Sequence, residues 1–487
     1  MLATLSIEKE SRGEQSPNVA YSIGLAYLYA VLEREGHDVR LLFLNNIEQD
    51  ESESRFFAEC ESYAPDLIGF QIFSMNRVST FSALQRLNRD YPDIRILLGG
   101  VHVSVMYEQI AEKFSSAVLI RGEADESIVD VVRSLVSGAD LADVPGIAFW
   151  RDGKVLVTAQ RAPVENLDSL PFPKHEVFFE NEPYRDTAHV ITSRGCPFDC
   201  SFCCLKSISL RRCRVRSVDS VIAELKYLKK RYPRLKRVQF HDDTLLLDNN
   251  RVIALCKAII AADLGLNFIC SGRVKPVSAE MFSWMARAGF NKLMFGLETG
   301  SPRLLEVIRK KITPGDVINL FTILRPFDFT VTTFLMCGFP GETDETVTET
   351  IDLVKRTQQI TYNSITGIGK LWVYPGTDIC RIMKDKGKMT DGYWLTDKPV
   401  PYFTAEHTIE ELCTFEERMM VHLSICRILT WQGFRCHFMS VPWTITKFLV
   451  KKKNRDFLTY ILKDFLARHA PRLVPFATNM YRSLKHK

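Results

Sequence analysis

The sequence predicts an α/β chain. It comprises a doubly wound, Rossmann-like unit over residues 1–150, a curved parallel sheet of six βα repeats over 186–390, and a mainly helical region over 391–487. Three observations carry this. Apolar runs of strand length alternate with amphipathic stretches twice along the chain, and a proline-stiffened segment at 151–185 separates the two sets. Beyond 391 the apolar period turns helical. At 487 residues the chain is also too long for one ordinary core, so two or three domains are expected.

In the first unit, buried strands are expected at Asp66–Phe73, Ile94–Leu98 and Ala117–Ile120. The amphipathic helix Gly24–Glu35 stops at Gly36, which fits a C-cap, and His37–Phe43 starts the next strand. Ligands of such sheets bind beyond the carboxyl ends of the strands, which directs attention to the loops 74–77, 99–104 and 122–126. Ile147–Val157 reads as two short strands around an Asp-Gly turn, and Leu167–Pro173 as an extended linker.

In the second unit, strands are expected at His189–Thr192, Arg237–His241, Leu266–Cys270, Lys292–Gly296, Thr330–Met336 and Gly369–Val373, with helices such as Asp219–Tyr232 between them. Functional residues of such a sheet belong at the strand ends. Glu406–Gln432 has helical periodicity through Leu412, Phe415, Met419, Met420, Leu423 and Ile425, and is expected to pack over the mouth of the sheet.

Hydrophobic residues at 46% and charged residues at 25% are ordinary for a folded protein and exclude a disordered chain. The net charge of +5 is unevenly placed: Thr444–Lys487 holds eleven Lys or Arg against Asp456 and Asp464, a net +9, and the rest of the chain sums to −4. That tail fits either a solvated helix face on a C-terminal cap or an amphipathic helix in weak contact with an anionic membrane surface. Its basic residues lack the aromatic interleaving of single-strand binders, and no nucleic-acid partner is expected. No apolar run reaches about 18 residues without charge, and Met1–Gly13 has no signal-peptide core, so a cytoplasmic location is expected. Thirteen cysteines suit a reducing interior.

Cys196, Cys200 and Cys203 stand at CxxxCxxC spacing within eight residues. Three thiolates on one tight loop can hold three irons of a cubane cluster and leave the fourth iron open. A zinc site would normally take four ligands, and no second CxxC or HxxxH pair follows at zinc-finger spacing. Disulfide bonding is a poor alternative, because thiols this close on one loop rarely reach bridging geometry.

Arg194-Gly-Cys-Pro197 leading into this motif resembles the cluster loop of the radical S-adenosylmethionine (SAM) superfamily. The resemblance implies a partial TIM-type (β/α)6 barrel for 186–390. It also implies a 4Fe-4S cluster on Cys196, Cys200 and Cys203, and SAM chelated at the open iron. By the same likeness Phe202 lies near the adenine, Arg273 pairs with the SAM carboxylate, and Gly296 and Glu298 form the ribose-binding strand end. Asp242 in His241-Asp-Asp243 places a carboxylate near SAM or substrate, the alternative being helix N-capping by Asp243 or Thr244. Cys204 is read as a thiol outside the ligand set. Cys337-Gly-Phe-Pro-Gly-Glu-Thr343 and Tyr374-Pro-Gly-Thr377 follow in the order of that family.

The first unit is similar to the cobalamin-binding domain fused in front of many such enzymes, through Pro65-Asp-Leu-Ile-Gly-Phe70, Leu98-Gly-Gly-Val-His102 and Arg121-Gly-Glu-Ala-Asp-Glu126. The likeness implies that Gly69, Ser74, Gly99, Gly100, His102, Gly122 and Glu123 contact the corrin or its nucleotide tail. Arg77 and His102 are expected as corrin-amide or surface contacts. No DxHxxG motif lies between Ile7 and Gly24, so cobalamin bound base-off without a protein histidine is expected. The combined resemblance implies methylation of an unactivated carbon, or of phosphinate phosphorus, in a small-molecule substrate, with a donor such as flavodoxin or ferredoxin supplying electrons. Cyclisation, ring contraction or oxidation without net methyl transfer is the alternative, and a cobalamin or redox sensor is a third class.

Overall fold

In a computed structural model, the chain is described over residues 1–7, 21–180, 185–361, 364–401 and 403–428. It divides into two compact units, Met1–Met419 and Met420–Lys487. The basic tail at 444–487, and most of the segment between Ile7 and Gly24, lie outside the described residues. Among the described residues no helix is long and apolar enough to cross a membrane.

The first sheet begins at the amino terminus. Its elements are β1 (Leu2–Thr4), α1 (Ile23–Arg34), β2 (Leu41–Phe43), α2 (Gln49–Tyr63), β3 (Leu67–Gln71), α3 (Arg77–Asp90), β4 (Arg95–Gly99), α4 (Val101–Lys113), β5 (Ala117–Ile120), α5 (Asp125–Ser137), β6 (Ile147–Arg151) and β7 (Lys154–Val157). The strand order is β2-β1-β3-β4-β5-β6-β7, parallel through β5 and antiparallel at β6 and β7. Order 2-1-3-4-5 is doubly wound, with its switch point between β1 and β3. The hairpin expected in the connecting segment instead extends this sheet, turning at Asp152 and Gly153, both at positive φ. The strand expected from His37 starts only at Leu41, because the preceding residues turn out of helix α1.

The short helix α6 (Glu176–Phe179) precedes a second, six-stranded sheet. It starts with β8 (Thr187–Val190); β9 (Ser193–Arg194) and β10 (Arg214–Val215) form a separate antiparallel pair that brackets the cysteine loop and α7 (Lys206–Ser209). There follow α8 (Val218–Arg231), β11 (Arg237–Phe240), α9 (Asn249–Ala262), β12 (Asn267–Gly272), α10 (Ala279–Arg287), β13 (Phe290–Glu298), α11 (Pro302–Val307), α12 (Pro314–Leu324), β14 (Thr330–Cys337), α13 (Asp344–Ile360) and β15 (Ser364–Lys370). All pairings in the order β15-β14-β13-β12-β11-β8 are parallel, the arrangement of a partial (β/α)6 barrel. Helix α8 starts where Ser217 caps it, its side chain accepting from the Ser220 amide. Strand β15 (Ser364–Lys370) starts five residues before the expected Gly369–Val373 and overlaps it only at Gly369 and Lys370. Its Gly367 and Gly369 dilute the β signal, and pairing with β14 overrides that local preference.

Helix α14 (Asp378–Asp385) follows, and α15 (Ile409–Ile428) replaces the longer helix expected from Glu406. Within the first unit, Met419 packs with Cys337, Val347 and Ile351, covering the outer face of β14 beside α13.

Candidate functional site

The cysteine loop is held from several directions. Ser201 donates its amide to the Ile308 carbonyl at 3.1 Å, and its own carbonyl accepts from Asp378 at 3.0 Å. Gly195 sits at φ +89, and a β-carbon there would lie 2.1 Å from the Arg212 carbonyl oxygen, so no other residue fits this turn. Cys196, Cys200 and Cys203 are free thiols. Burial raises Cys196, and pushes Cys203 up to about 11 with Cys200 and Cys196 among the neighbouring groups that add to the rise. Among the described residues no three donors converge on one ion position. A cubane does not need that, since each thiolate takes its own iron. Three reduced cysteines on one pinned loop therefore fit an open-site cluster, whose binding would release their protons.

The sequence-predicted partners gather beside this loop. Arg273, just past β12, donates to Cys200 Sγ at 3.7 Å and to the Lys310 carbonyl, and lies 3.7 Å over the Phe198 ring. Glu298 ends β13 at φ +67, where the pairing with β14 slips, and its Oε1 accepts from Lys310 Nζ at 2.6 Å. A β-carbon at Gly296 would come within 2.3 Å of that Glu298 oxygen, which is why glycine stands two residues before the glutamate. Phe202 faces Phe339, with ring centroids 5.7 Å apart, and the Lys310 ammonium, 5.8 Å away. Glu342 closes the Cys337–Thr343 turn by accepting from the Gly338 amide at 2.8 Å. A positive-φ glutamate at a strand end is the kind of local strain found at binding sites.

The aspartate pair differs from expectation. Neither Asp243 nor Thr244 caps helix α9; Asp248 does, accepting from Asn250 and Arg251. Asp242, only 3% exposed, accepts from the Thr192 amide at 3.1 Å, from the Thr192 hydroxyl at 2.7 Å and from Ser193. Asp243 accepts from the Gly195 amide at 2.9 Å, and burial raises it to about 6. Both carboxylates therefore hold the strand leading into the cysteine loop.

In the first sheet, Gly69, Gly99, Gly100, Gly122 and Glu123 line one mostly apolar cavity of about 220 Å3 beyond the carboxyl ends of β3, β4 and β5. β-Carbons at Gly99 and Gly122 would meet nothing within 4 Å, so side chains there would occupy the cavity itself. Its open glycines and mostly apolar lining leave room for a ligand of low polarity. Ser74 and His102 are not in that cavity. They line another of about 180 Å3 with Met75, Cys204, Tyr374 and Pro375, and Ser74 Oγ is 2.9 Å from His102 Nδ1. His102 and Arg77 are fully buried rather than surface residues, and both pack on Trp394.

The strand entering the cysteine loop also lines the glycine-lined cavity, through Ile191 and Arg194. Arg194, one residue before Gly195, lines it and binds Asp125 through two hydrogen bonds of 2.7 and 3.1 Å. Arg214, opposite Arg194 in the β9–β10 ladder, pairs with Glu123. Burial works against the Arg194 charge, and the Asp125 and Glu123 carboxylates outweigh it and raise its pKa.

This chain matches the radical SAM superfamily over residues 190–354 and the B12 binding domain over residues 13–132. It is 30% identical over 359 residues to an uncharacterized methyltransferase of Pyrococcus horikoshii, covering 73% of this chain and 76% of that protein. The chain belongs to the cobalamin-binding radical SAM enzymes. Another relative is an anaerobic magnesium-protoporphyrin IX monomethyl ester cyclase of Rubrivivax gelatinosus, 26% identical over 68% of this chain and 61% of the cyclase. In fold, it resembles the cobalamin-dependent SAM radical enzyme OxsB, solved with aqua-cobalamin and SAM bound. The TM-score is 0.72 at 16% identity, over 96% of this chain and 75% of OxsB. The 4Fe-4S cluster, SAM and cobalamin are the cofactors of this class.

For this radical SAM enzyme, sequence reasoning missed Lys310, Asp125 and the roles of Arg194 and Arg214. Lys310 sits in the basic run Arg309-Lys-Lys311, which reads as solvated until the fold buries one member. The Arg194 bridge spans 69 residues, a separation over which no periodicity gives a signal.

His102 also sets a pH dependence. Burial lowers its pKa to about 3, with the Arg77 charge adding to the effect, against about 6.5 when unfolded. Between those values only the unfolded state binds the proton, so stability falls on acidification. Urea unfolding is expected to show the wild type losing about 2 kcal/mol more than His102→Gln between pH 7 and 5. Equal losses would remove His102 as a source.

Proposed function

We propose that this chain is a methyltransferase that modifies an unactivated carbon of a small-molecule biosynthetic intermediate, with phosphinate phosphorus as the other acceptor. When bound, the cluster and cobalamin supply one-electron cleavage of SAM and carriage of a methyl group. Cys196, Cys200 and Cys203 hold the cluster, and Arg273 directs its guanidinium fork to the SAM carboxylate. Glu298 accepts from the ribose hydroxyls, with Lys310 donating to its Oε1 and fixing its orientation, and Phe202 bounds the adenine. Gly69, Gly99, Gly100, Gly122 and Glu123 receive the cobalamin tail, while Ser74 and His102 face the corrin periphery.

The observation that carries this reading is the shared wall: the strand entering the cysteine loop lines the glycine-rich cavity through Arg194. Two cofactors placed that closely suit a reaction in which a substrate radical collects a methyl group where it forms. Incubation of the reconstituted, reduced protein with methyl-deuterated SAM and its substrate is expected to give product carrying the label. Unlabelled product with 5′-deoxyadenosine still formed would favour a second reading, ring formation or oxidation without net methyl transfer, which the relationship to the Rubrivivax cyclase supports.

A further inference from the structure

The inner face of the second sheet carries large apolar side chains that nothing in the described residues covers. Along β14, Val331, Leu335 and Cys337 are at most 2% exposed, and Cys337 packs with Val347 and Ile351 of α13, which marks that side as the outer, helix-covered one. Phe334 points the other way and is 43% exposed, and Ile365 on β15 is 41% exposed. Phe334 in the middle of β14, with Ile365 beside it near the start of the edge strand β15, is unusual, because a sheet face normally buries such surface.

The register gathers them into one patch. Thr332 pairs with Met294 and Ile365, Phe334 with Gly296 and Gly367, and Met336 with Gly369. Glycines therefore flank the Phe334 ring on both sides. A β-carbon at Gly367 would touch that ring at 3.2 Å, and one at Gly369 would meet nothing within 4 Å. The result is an aromatic platform in a slot that glycine has left open.

Charge is confined to the ends of the patch. On β13 the same face carries Lys292 at the amino end; at the carboxyl end the ladder slips, and the Glu298 side chain, paired with Lys310, folds over the Gly296 position on this face. Between them stand methionine, threonine, phenylalanine, isoleucine and glycine. That surface has no guanidinium fork or cluster of amide donors for a phosphate, a nucleotide or a peptide backbone to engage. The slot opens at its carboxyl end toward Glu298 and Arg273, beside the cysteine loop.

Resting on the reading above, we propose that the substrate is a neutral molecule with an extended apolar ring system or alkyl body, and that Phe334, Met294 and Ile365 bind that body in the slot. Methionines beside a phenylalanine suit this, since their thioethers adapt to an irregular apolar shape. The carbon to be modified then lies at the carboxyl end of the strands, and the polar part of the substrate, where present, lies toward Lys292 or solvent.

The test uses the reconstituted full chain and Nile red, a neutral polycyclic dye whose emission reports apolar surroundings. Saturable binding is expected, weakened at least tenfold by Phe334→Asp and by Gly367→Leu, and displaced by cholesterol but not by adenosine monophosphate. Phe334 is exposed, so Phe334→Asp should fold, and circular dichroism of both variants checks it. Dye binding that neither folded variant changes would overturn the proposal, as would displacement by the nucleotide alone. Formation of 5′-deoxyadenosine by the reduced wild type separates the two readings. Its absence defeats the enzymatic reading, whereas its presence with no dye in the slot defeats only the apolar substrate.

Discussion

Cys200→Ala is expected to remove the iron–sulfur cluster and reductive SAM cleavage together, while Cys204→Ala retains both. Each thiolate of an open-site cubane holds one iron, so losing one leaves two protein ligands for a cluster that needs three. Cys200 is buried, and its sulfur is the one that receives the Arg273 guanidinium, so its loss also removes that contact. Cys204 follows Cys203 directly in sequence but lines the other cavity, with Ser74, His102 and Tyr374. Iron and sulfide analysis, electron paramagnetic resonance of the reduced protein and chromatography of 5′-deoxyadenosine read the result. Cleavage should fall by on the order of 10³-fold or more in Cys200→Ala, the scale on which removing an essential reacting group acts. Cluster loss in Cys204→Ala would assign the ligands differently.

Arg194→Met should destabilise the protein by about 3–5 kcal/mol, the range for removing one partner of a buried ion pair. The Arg194 side chain is 14% exposed and Asp125 5%, so the orphaned carboxylate cannot recover its hydration without local opening. Asp125 begins helix α5, and Glu123 precedes it on the loop that lines the glycine-rich cavity. The same variant should therefore retain less cobalamin after gel filtration, read by its visible absorbance. The double variant Arg194→Met/Asp125→Asn should regain part of the lost stability, because neither charge is then left alone. Full additivity of the two single losses would mean that the pair is not coupled.

The sequence made the local pattern legible and left the long-range pattern hidden. Ala117–Ile120 coincides with β5, because a short continuous apolar run that includes β-branched Val118 and Ile120 states both length and burial. Strand β1 was not anticipated, since Leu2–Thr4 is three residues long and becomes a central strand only by pairing with both β2 and β3. The cysteines were readable because their chemistry needs a fixed spacing on one loop. Asp242 was not, because its hydrogen-bond partners, Thr192 and Ser193, lie about fifty residues earlier and nothing local distinguishes a capping aspartate from one that secures a distant strand. Ser74 and His102 were placed with the glycines because they share the strand-end loops, but the turn after β3 and the start of α4 direct them into a separate cavity.

The ion pairs joining β9 and β10 to the first sheet have a consequence for recombination. The proline-stiffened segment looks like a natural place to cut and exchange modules, yet it is not what joins them. A chain that inherited the second sheet alone would keep Arg194 and Arg214 beside the cysteine loop with no Asp125 or Glu123 to receive them. Either both arginines would have to change in the same step, or the two modules would have to travel together.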